Sequence, residues 1–80
     1  MKLPRDLSGE DLARALGRLG YEMTRRRGSH MRLTTVAGGE HHITIPNHET
    51  LKVGTLSGIL RDVAKHAGLS RDELLVKLFG

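Results

Sequence analysis

The sequence contains no cysteine, no tryptophan and no long run of apolar residues. Without cysteine, the chain can form neither a disulfide framework nor a thiolate zinc site. No apolar run approaches the roughly 18 residues that a membrane helix needs. The first residues also lack the apolar central region of a secretory signal, so we expect a soluble protein of the cytoplasm.

Aromatic side chains other than histidine are limited to Tyr21 and Phe79, so the base-stacking platforms usual in single-strand binders are nearly absent. Positive charge, in contrast, is concentrated in one part of the chain. The first 35 residues carry eight Lys and Arg against four acids, and the remaining residues carry five of each. This asymmetry favours a polyanion or an acidic protein as the partner, with contacts mainly to the backbone of a nucleic acid.

Eighty residues predict one small domain, spanning residues 1–80. Ser8 is a good N-cap for an amphipathic helix over about residues 9–19. A second amphipathic helix begins near Leu56 and ends at Gly68. The segment Ser70-Arg71-Asp72-Glu73 is a capping box that opens a short C-terminal helix.

Between the first two helices, apolar and polar residues alternate with the period of two that is typical of strands. For the first hairpin, a three-residue loop over residues 26–28 would pair Met23 with Met31 and Tyr21 with Leu33. We expect this register because it places apolar residues on one face of the sheet.

For the second hairpin, a loop over residues 36–40 matches the apolar faces of the second and third strands. It pairs Leu33 with Ile43 and Met31 with Ile45. In the same register His30 lies opposite Pro46, and His48 follows just beyond the strand.

These elements predict an α+β fold in the order α-β-β-β-α, with a short C-terminal helix added. Helices would cover one face of a three-stranded antiparallel sheet, because the sheet has only one apolar face. The other face is left open to water or to a ligand. It carries the polar residues Thr24, His30, Arg32, His42 and Thr44.

The most conspicuous stretch is Arg25-Arg26-Arg27-Gly28-Ser29-His30. Together with Arg32, its guanidinium groups could bind phosphates through planar bidentate contacts. The alternative is a charged hairpin tip that only prevents aggregation of the sheet edge. His30 could transfer protons near neutral pH, but a single histidine is not a motif, and an ordinary surface histidine is the alternative.

A metal site is not expected. His41, His42 and His48 lie close in sequence, but adjacent strand residues point to opposite faces. No carboxylate or cysteine stands at ligand spacing with them.

Taken in order and spacing, several short motifs resemble the HicA toxin family, small ribonucleases of bacterial and archaeal toxin–antitoxin pairs. The motifs span nearly the whole chain: Leu19-Gly20-Tyr21, Arg27-Gly28-Ser29-His30, Ile45-Pro46-Asn47-His48, Gly54-Thr55-Leu56, Ile59-Leu60-Arg61 and Ala67-Gly68-Leu69-Ser70.

The resemblance implies a fold similar to the double-stranded-RNA-binding domain, His30 as the catalytic residue, mRNA cleaved without ribosomes, and an inhibitory HicB-type antitoxin. Arg25, Arg26, Arg27, Gly28, Ser29 and Arg32 would bind the RNA. The register of the second hairpin, and not the resemblance, makes His48 a possible second acid or base, and neither a metal nor a cofactor is expected. A non-catalytic RNA-binding module and a domain that docks an acidic protein remain alternatives.

Overall fold

Three helices cover one face of a three-stranded antiparallel sheet in the computed structural model, which describes residues 3–80. The strands are ordered β1-β2-β3, each paired with its neighbour in sequence. In chain order the elements are α1 (Gly9–Leu16), a 3₁₀ helix (Gly17–Leu19), β1 (Glu22–Arg27), β2 (His30–Thr35), β3 (His41–Pro46), α2 (Val53–Ala67) and α3 (Arg71–Phe79). The predicted α+β class and element order are confirmed.

Capping residues fix the ends of the helices, as the sequence predicts. The side chains of Ser8 and Ser70 each accept a hydrogen bond from the backbone N–H of the third residue of the following helix. In return, the carboxylates of Asp11 and Glu73 accept hydrogen bonds from the backbone N–H groups of Ser8 and Ser70. Gly68 ends α2 in the left-handed conformation, with φ of 69°. Within residues 3–80, no helix combines the length and apolar character that crossing a bilayer would require.

The core lies between the helices and the covered face of the sheet. The largest fully buried side chains come from all layers: Leu12 and Leu16 of α1, Met31 and Leu33 of β2, Ile45 of β3, Val63 of α2, and Leu74, Leu75 and Leu78 of α3. Burial of each such side chain contributes about 1.5–3 kcal/mol. The same alternation that builds this core leaves every second residue of β2 and β3 on the open face.

The register of β2 against β3 is the predicted one. Met31 pairs with Ile45, Leu33 with Ile43, and His30 with Pro46. The loop between the strands runs over residues 36–40, as expected.

The register of β1 against β2 differs from the prediction. The turn is Gly28-Ser29 rather than residues 26–28, so Arg27 pairs with His30 and Arg26 with Met31. Gly28 has φ of 56°, which suits the first position of a two-residue hairpin turn. The conformation of Gly28 in the turn therefore determines the register of this hairpin. The predicted register relied instead on pairing apolar residues across the two strands.

A bulge at Thr24 compensates for the shorter turn. The pairing shifts between Met23 and Arg25, so that Met23 lies opposite Leu33 instead of Met31. Tyr21 precedes β1 and is buried without a strand partner. All six residues of β1 are exposed, so of the two residues predicted for its apolar face Tyr21 is buried and Met23 is not.

Candidate functional site

His30 lies on the open face of the sheet among three arginines. Arg27 is directly opposite it on β1, and Arg25 is opposite Arg32 two pairs further along. Directly opposed residues of antiparallel strands project to the same face. With Thr44 of β3, these four side chains line a shallow depression of about 270 Å³.

The part of the chain that the structure describes does not neutralise the cations of this depression. Within residues 3–80, no hydrogen bond or ion pair engages the side chains of Arg25, Arg27, His30 or Arg32. Three guanidinium groups on one exposed patch attract anions, and their planar donors match phosphate oxygens. The depression is therefore a candidate phosphate site with an exposed imidazole at its edge.

Arg26 does not belong to the depression. It pairs with the core residue Met31 and projects to the covered side of the sheet, where its guanidinium donates to Oε1 of Glu10 at 2.8 Å. The sequence grouped all three consecutive arginines, but strand alternation separates the middle one from its neighbours.

Gly28 and Ser29 form the turn that carries His30 into β2. The carbonyl oxygen of Ser29 accepts a hydrogen bond from the backbone N–H of Asn47 at 2.6 Å, which ties the turn to the segment after β3. Both residues thus position the backbone beside the depression, and neither of them lines it.

His48 lies in the exposed segment after β3, at the same end of the sheet as His30. Its carbonyl oxygen accepts a hydrogen bond from the N–H of Gly9 at 2.9 Å, so its backbone is held against the start of α1. Its side chain is not among those that line the depression. Both histidines lie at one end of the sheet, and His30 lines the depression whereas His48 does not.

Further along the open face, four polar side chains form a hydrogen-bonded row that sequence reasoning missed. The hydroxyls of Thr24 and Thr34 lie 3.0 Å apart, and Thr34 Oγ1 is 2.7 Å from Nδ1 of His42. Nε2 of His42 is 3.0 Å from Oε2 of Glu40. Period-two alternation placed Thr24 and His42 on this face, but only the structure shows that they are linked.

A second group of side chains lies on the covered side of the sheet, between Tyr21, β3 and α2. The Tyr21 hydroxyl is 2.7 Å from Nδ1 of His41, and Nε2 of His41 is 3.3 Å from Oδ1 of Asp62. Burial, and then the charge of Asp62, raise the pKa of Tyr21 above its usual value. Tyr21 therefore keeps its proton, and the two ring nitrogens of His41 link its hydroxyl to the Asp62 carboxylate.

The His41 ring is also stacked on His66 at 4.4 Å, and His66 Nε2 contacts the carbonyl oxygen of Ala37 at 3.0 Å. These bonds fasten the loop after β2 to α2. No group of three or more His, Cys, Asp or Glu side chains in residues 3–80 is arranged to hold a metal ion.

Fold and open face together define a small basic α+β domain with a histidine set among arginines on an uncovered sheet. The family model described as the HicA toxin of bacterial toxin–antitoxin systems matches residues 9–69, which is more than half of the chain. The chain belongs to the HicA toxin family. No curated protein and no solved structure gives a match.

Proposed function

We propose that this HicA-family protein is an endoribonuclease that cleaves mRNA without ribosomes and without a metal ion. The observation that carries the proposal is the position of His30 opposite Arg27 and beside Arg25 and Arg32, with none of these side chains engaged by a carboxylate within residues 3–80. A free imidazole can transfer the protons, and free guanidinium groups can stabilise the charge, that cleavage of RNA without a metal involves.

RNA contains its own nucleophile, the 2′-hydroxyl next to each phosphate. When its oxygen attacks the phosphorus, the bond to the 5′-oxygen of the next nucleotide breaks, leaving a cyclic phosphate and a 5′-hydroxyl. His30 would transfer a proton, either from the attacking hydroxyl or to the leaving oxygen. Arg25, Arg27 and Arg32 would bind the phosphoryl oxygens and stabilise the charge that grows on them in the transition state.

His48 is the candidate for the second proton carrier. His48 lies at the same end of the sheet, beyond the residue that pairs with His30. A bound RNA strand that crosses this end would pass both imidazoles. In this proposal His48 takes the complementary proton transfer, and Gly28 and Ser29 shape the backbone against which the RNA lies.

A HicB-type antitoxin would block this activity by covering the same patch. The uncompensated cations that attract phosphates also attract carboxylates, so an acidic antitoxin surface would compete directly with RNA. With mRNA as its substrate, the protein would act in the cytoplasm.

The test compares wild type with His30→Ala. Induction of wild type without the antitoxin should arrest growth, and RNA from those cells should carry new 5′-hydroxyl ends. Purified wild type should cleave mRNA in the presence of a chelator. His30→Ala should neither arrest growth nor cleave mRNA. Undiminished cleavage by His30→Ala would remove the catalytic assignment, and loss of wild-type cleavage in chelator would indicate a metal.

The matched histidine variant is His48→Ala. A large loss of cleavage with unchanged RNA affinity would support its proton-transfer role, and unchanged cleavage would exclude it. If growth arrest survives in His30→Ala but is lost in Arg25→Ala and Arg27→Ala, the protein is a non-catalytic RNA-binding module.

A further inference from the structure

The row of Thr24, Thr34, His42 and Glu40 continues the open face beyond the arginines. His42 pairs with Thr34, which lies four residues along β2 from His30. At the rise of an antiparallel strand this separation is about 13 Å. One phosphate group cannot bridge that distance, so the row cannot take part in the bond cleavage at His30. It can contact a different nucleotide of the same strand.

The His42 ring is fixed at both of its nitrogens. The Glu40 carboxylate can only accept, so Nε2 of His42 carries a proton and donates it at 3.0 Å. Nδ1 is bound to the Thr34 hydroxyl at 2.7 Å, and that hydroxyl is bound in turn to Thr24. An imidazole whose nitrogens are both occupied is poorly suited to transfer protons or to read the hydrogen-bonding edge of a base.

The part of His42 that remains available is the ring itself. Its side chain is 38 % exposed although both nitrogens have hydrogen-bond partners, so a ligand on the open face can reach the side chain. A ring of fixed orientation loses little conformational entropy when a flat ligand packs against it. Unpaired bases of RNA are commonly recognised by such stacking, on histidine as well as on larger aromatic rings.

The other aromatic residues do not offer this surface. Tyr21 is buried on the covered side of the sheet, and Phe79 packs against the core at the end of α3. On the open face formed by the described residues, His42 is the aromatic ring that lies beyond the phosphate-binding arginines.

We infer that His42 is a stacking platform for one unpaired base of the bound RNA, held in place by Glu40 and Thr34. The inference rests on the proposed function in taking RNA as the ligand of the open face. It assigns the substrate as single-stranded at this position, because a base paired in a helix is not free to leave its stack. The stacked base belongs to a nucleotide beyond the one that His30 cleaves.

The test measures affinity for a short single-stranded oligoribonucleotide, using His30→Ala protein so that the RNA stays intact. Three further substitutions separate the properties of the ring. His42→Ala removes the ring and its hydrogen bonds, and His42→Gln keeps a donor and an acceptor but lacks the ring. His42→Phe keeps an aromatic ring but lacks the hydrogen bonds. We expect the first two to weaken binding about fivefold or more and the third to retain most of the affinity.

An abasic nucleotide placed at each position of the oligonucleotide in turn identifies the stacked base. At one position the abasic RNA should bind parent and His42→Ala protein equally, because the base that would stack on the ring is absent. Circular dichroism melting of each variant shows whether a loss of affinity reflects a loss of folding. His42→Gln serves as the folding control, since it retains both types of hydrogen-bonding group.

Equal affinity of the parent and all three variants overturns the inference, as does a loss in His42→Phe as large as that in His42→Ala. Failure of the parent to bind the oligonucleotide overturns it as well. The proposed nuclease activity is judged separately, by cleavage with the wild-type protein. If wild type cleaves RNA but His42 substitutions do not change binding, the nuclease proposal stands and the stacking inference fails. If binding depends on the His42 ring but wild type cleaves no RNA, the stacking inference stands and the nuclease proposal fails.

Discussion

The guanidinium of Arg26 is bound to the carboxylate of Glu10 at 2.8 Å, which joins β1 to α1 on the covered side of the sheet. Its neighbours Arg25 and Arg27 project to the opposite side, where they face Arg32 and His30. Three consecutive arginines are therefore divided, two on the open face and one beside the helices. The division follows from the alternation of side chains along a strand.

This division predicts different effects for the three alanine substitutions. Arg25→Ala and Arg27→Ala should each weaken RNA binding and lower the slope of log affinity against log salt by about 0.7, the change expected when the protein neutralises one phosphate fewer on a single strand. Arg26→Ala should leave this slope unchanged. Its effect on the free energy of unfolding should stay below about 1 kcal/mol, because the ion pair is half exposed. Titrations of RNA at several salt concentrations check this, and equal slopes for all three variants would contradict it.

The register of the β2–β3 hairpin could be predicted from sequence because both the burial of its apolar residues and the length of its loop constrain it. Met31 and Leu33 must be buried, as must Ile43 and Ile45, and the five-residue loop aligns these pairs. A shift of one residue would turn both apolar side chains of the shifted strand to the open face, so hydrophobic burial selects the register strongly.

The β1–β2 hairpin lacked that constraint. Every residue of β1 is exposed, and Met23 itself is 45 % exposed, so burial discriminates weakly between registers. The register is set by Gly28 in the turn and by the bulge at Thr24, and a bulge leaves no clear pattern in a polar strand. The separation of Arg26 from the site, which depends on this register, was missed for the same reason.

The row that holds His42 could be predicted only in part. Alternation placed His42 on the open face, but its bonds to Thr34 and Glu40 depend on rotamers and on the path of the loop before β3. These properties arise from packing in three dimensions, not from the spacing of residue types.

Removal of the Tyr21 hydroxyl should destabilise the protein. Tyr21→Phe leaves Nδ1 of His41 without its partner at 2.7 Å, on a side chain that is only 19 % exposed. We expect a loss of about 1 kcal/mol in the free energy of unfolding, measured by urea denaturation. RNA cleavage should be preserved once the protein is folded, because the group lies on the covered side of the sheet. A Tyr21→Phe protein as stable as wild type would show that the bond contributes nothing.

Alkaline pH gives an independent check on Tyr21. Burial and the Asp62 charge raise its pKa in the folded protein above the usual value of 10.0. The resulting stabilisation is fully present below about pH 10 and is lost as the pH rises through the higher pKa of the folded state. Since the chain has one tyrosine and no tryptophan, tyrosinate absorbance reports this group alone. We expect the titration of native protein to lie above that of the urea-unfolded chain, and coincident titrations would refute the shift.

Acid should weaken the first helix through Asp11. The bonds with Ser8, aided by Arg14, lower the pKa of Asp11 below its usual value of 3.8. An acid with a lowered pKa in the folded state stabilises above its unfolded pKa, and this contribution is lost as the pH falls through the folded pKa. Melting temperatures measured from pH 6 down to about pH 2 should therefore fall less steeply in Asp11→Asn than in wild type. Glu73→Gln should behave alike, because its bonds with Ser70 lower the pKa of Glu73 in the same way.

Two glycine-to-alanine substitutions should change stability in opposite directions. A Cβ at Gly9 would overlap the carbonyl oxygen of Pro46, whereas a Cβ at Gly58, within α2, would meet nothing within 4 Å beyond its chain neighbours and its own helix backbone. We expect Gly9→Ala to cost about 1–3 kcal/mol, because backbone must move to admit the methyl group. Gly58→Ala should stabilise by up to about 1 kcal/mol through its higher helix propensity.

The Gly9 substitution should also affect RNA cleavage, because Pro46 is the residue that pairs with His30. The methyl group would displace the end of β3 and break the bond from the Gly9 N–H to the His48 carbonyl. Cleavage measured well below the melting temperature should therefore be reduced in Gly9→Ala and unchanged in Gly58→Ala. Normal cleavage by a destabilised Gly9→Ala protein would mean that this end of the sheet does not position the catalytic histidine.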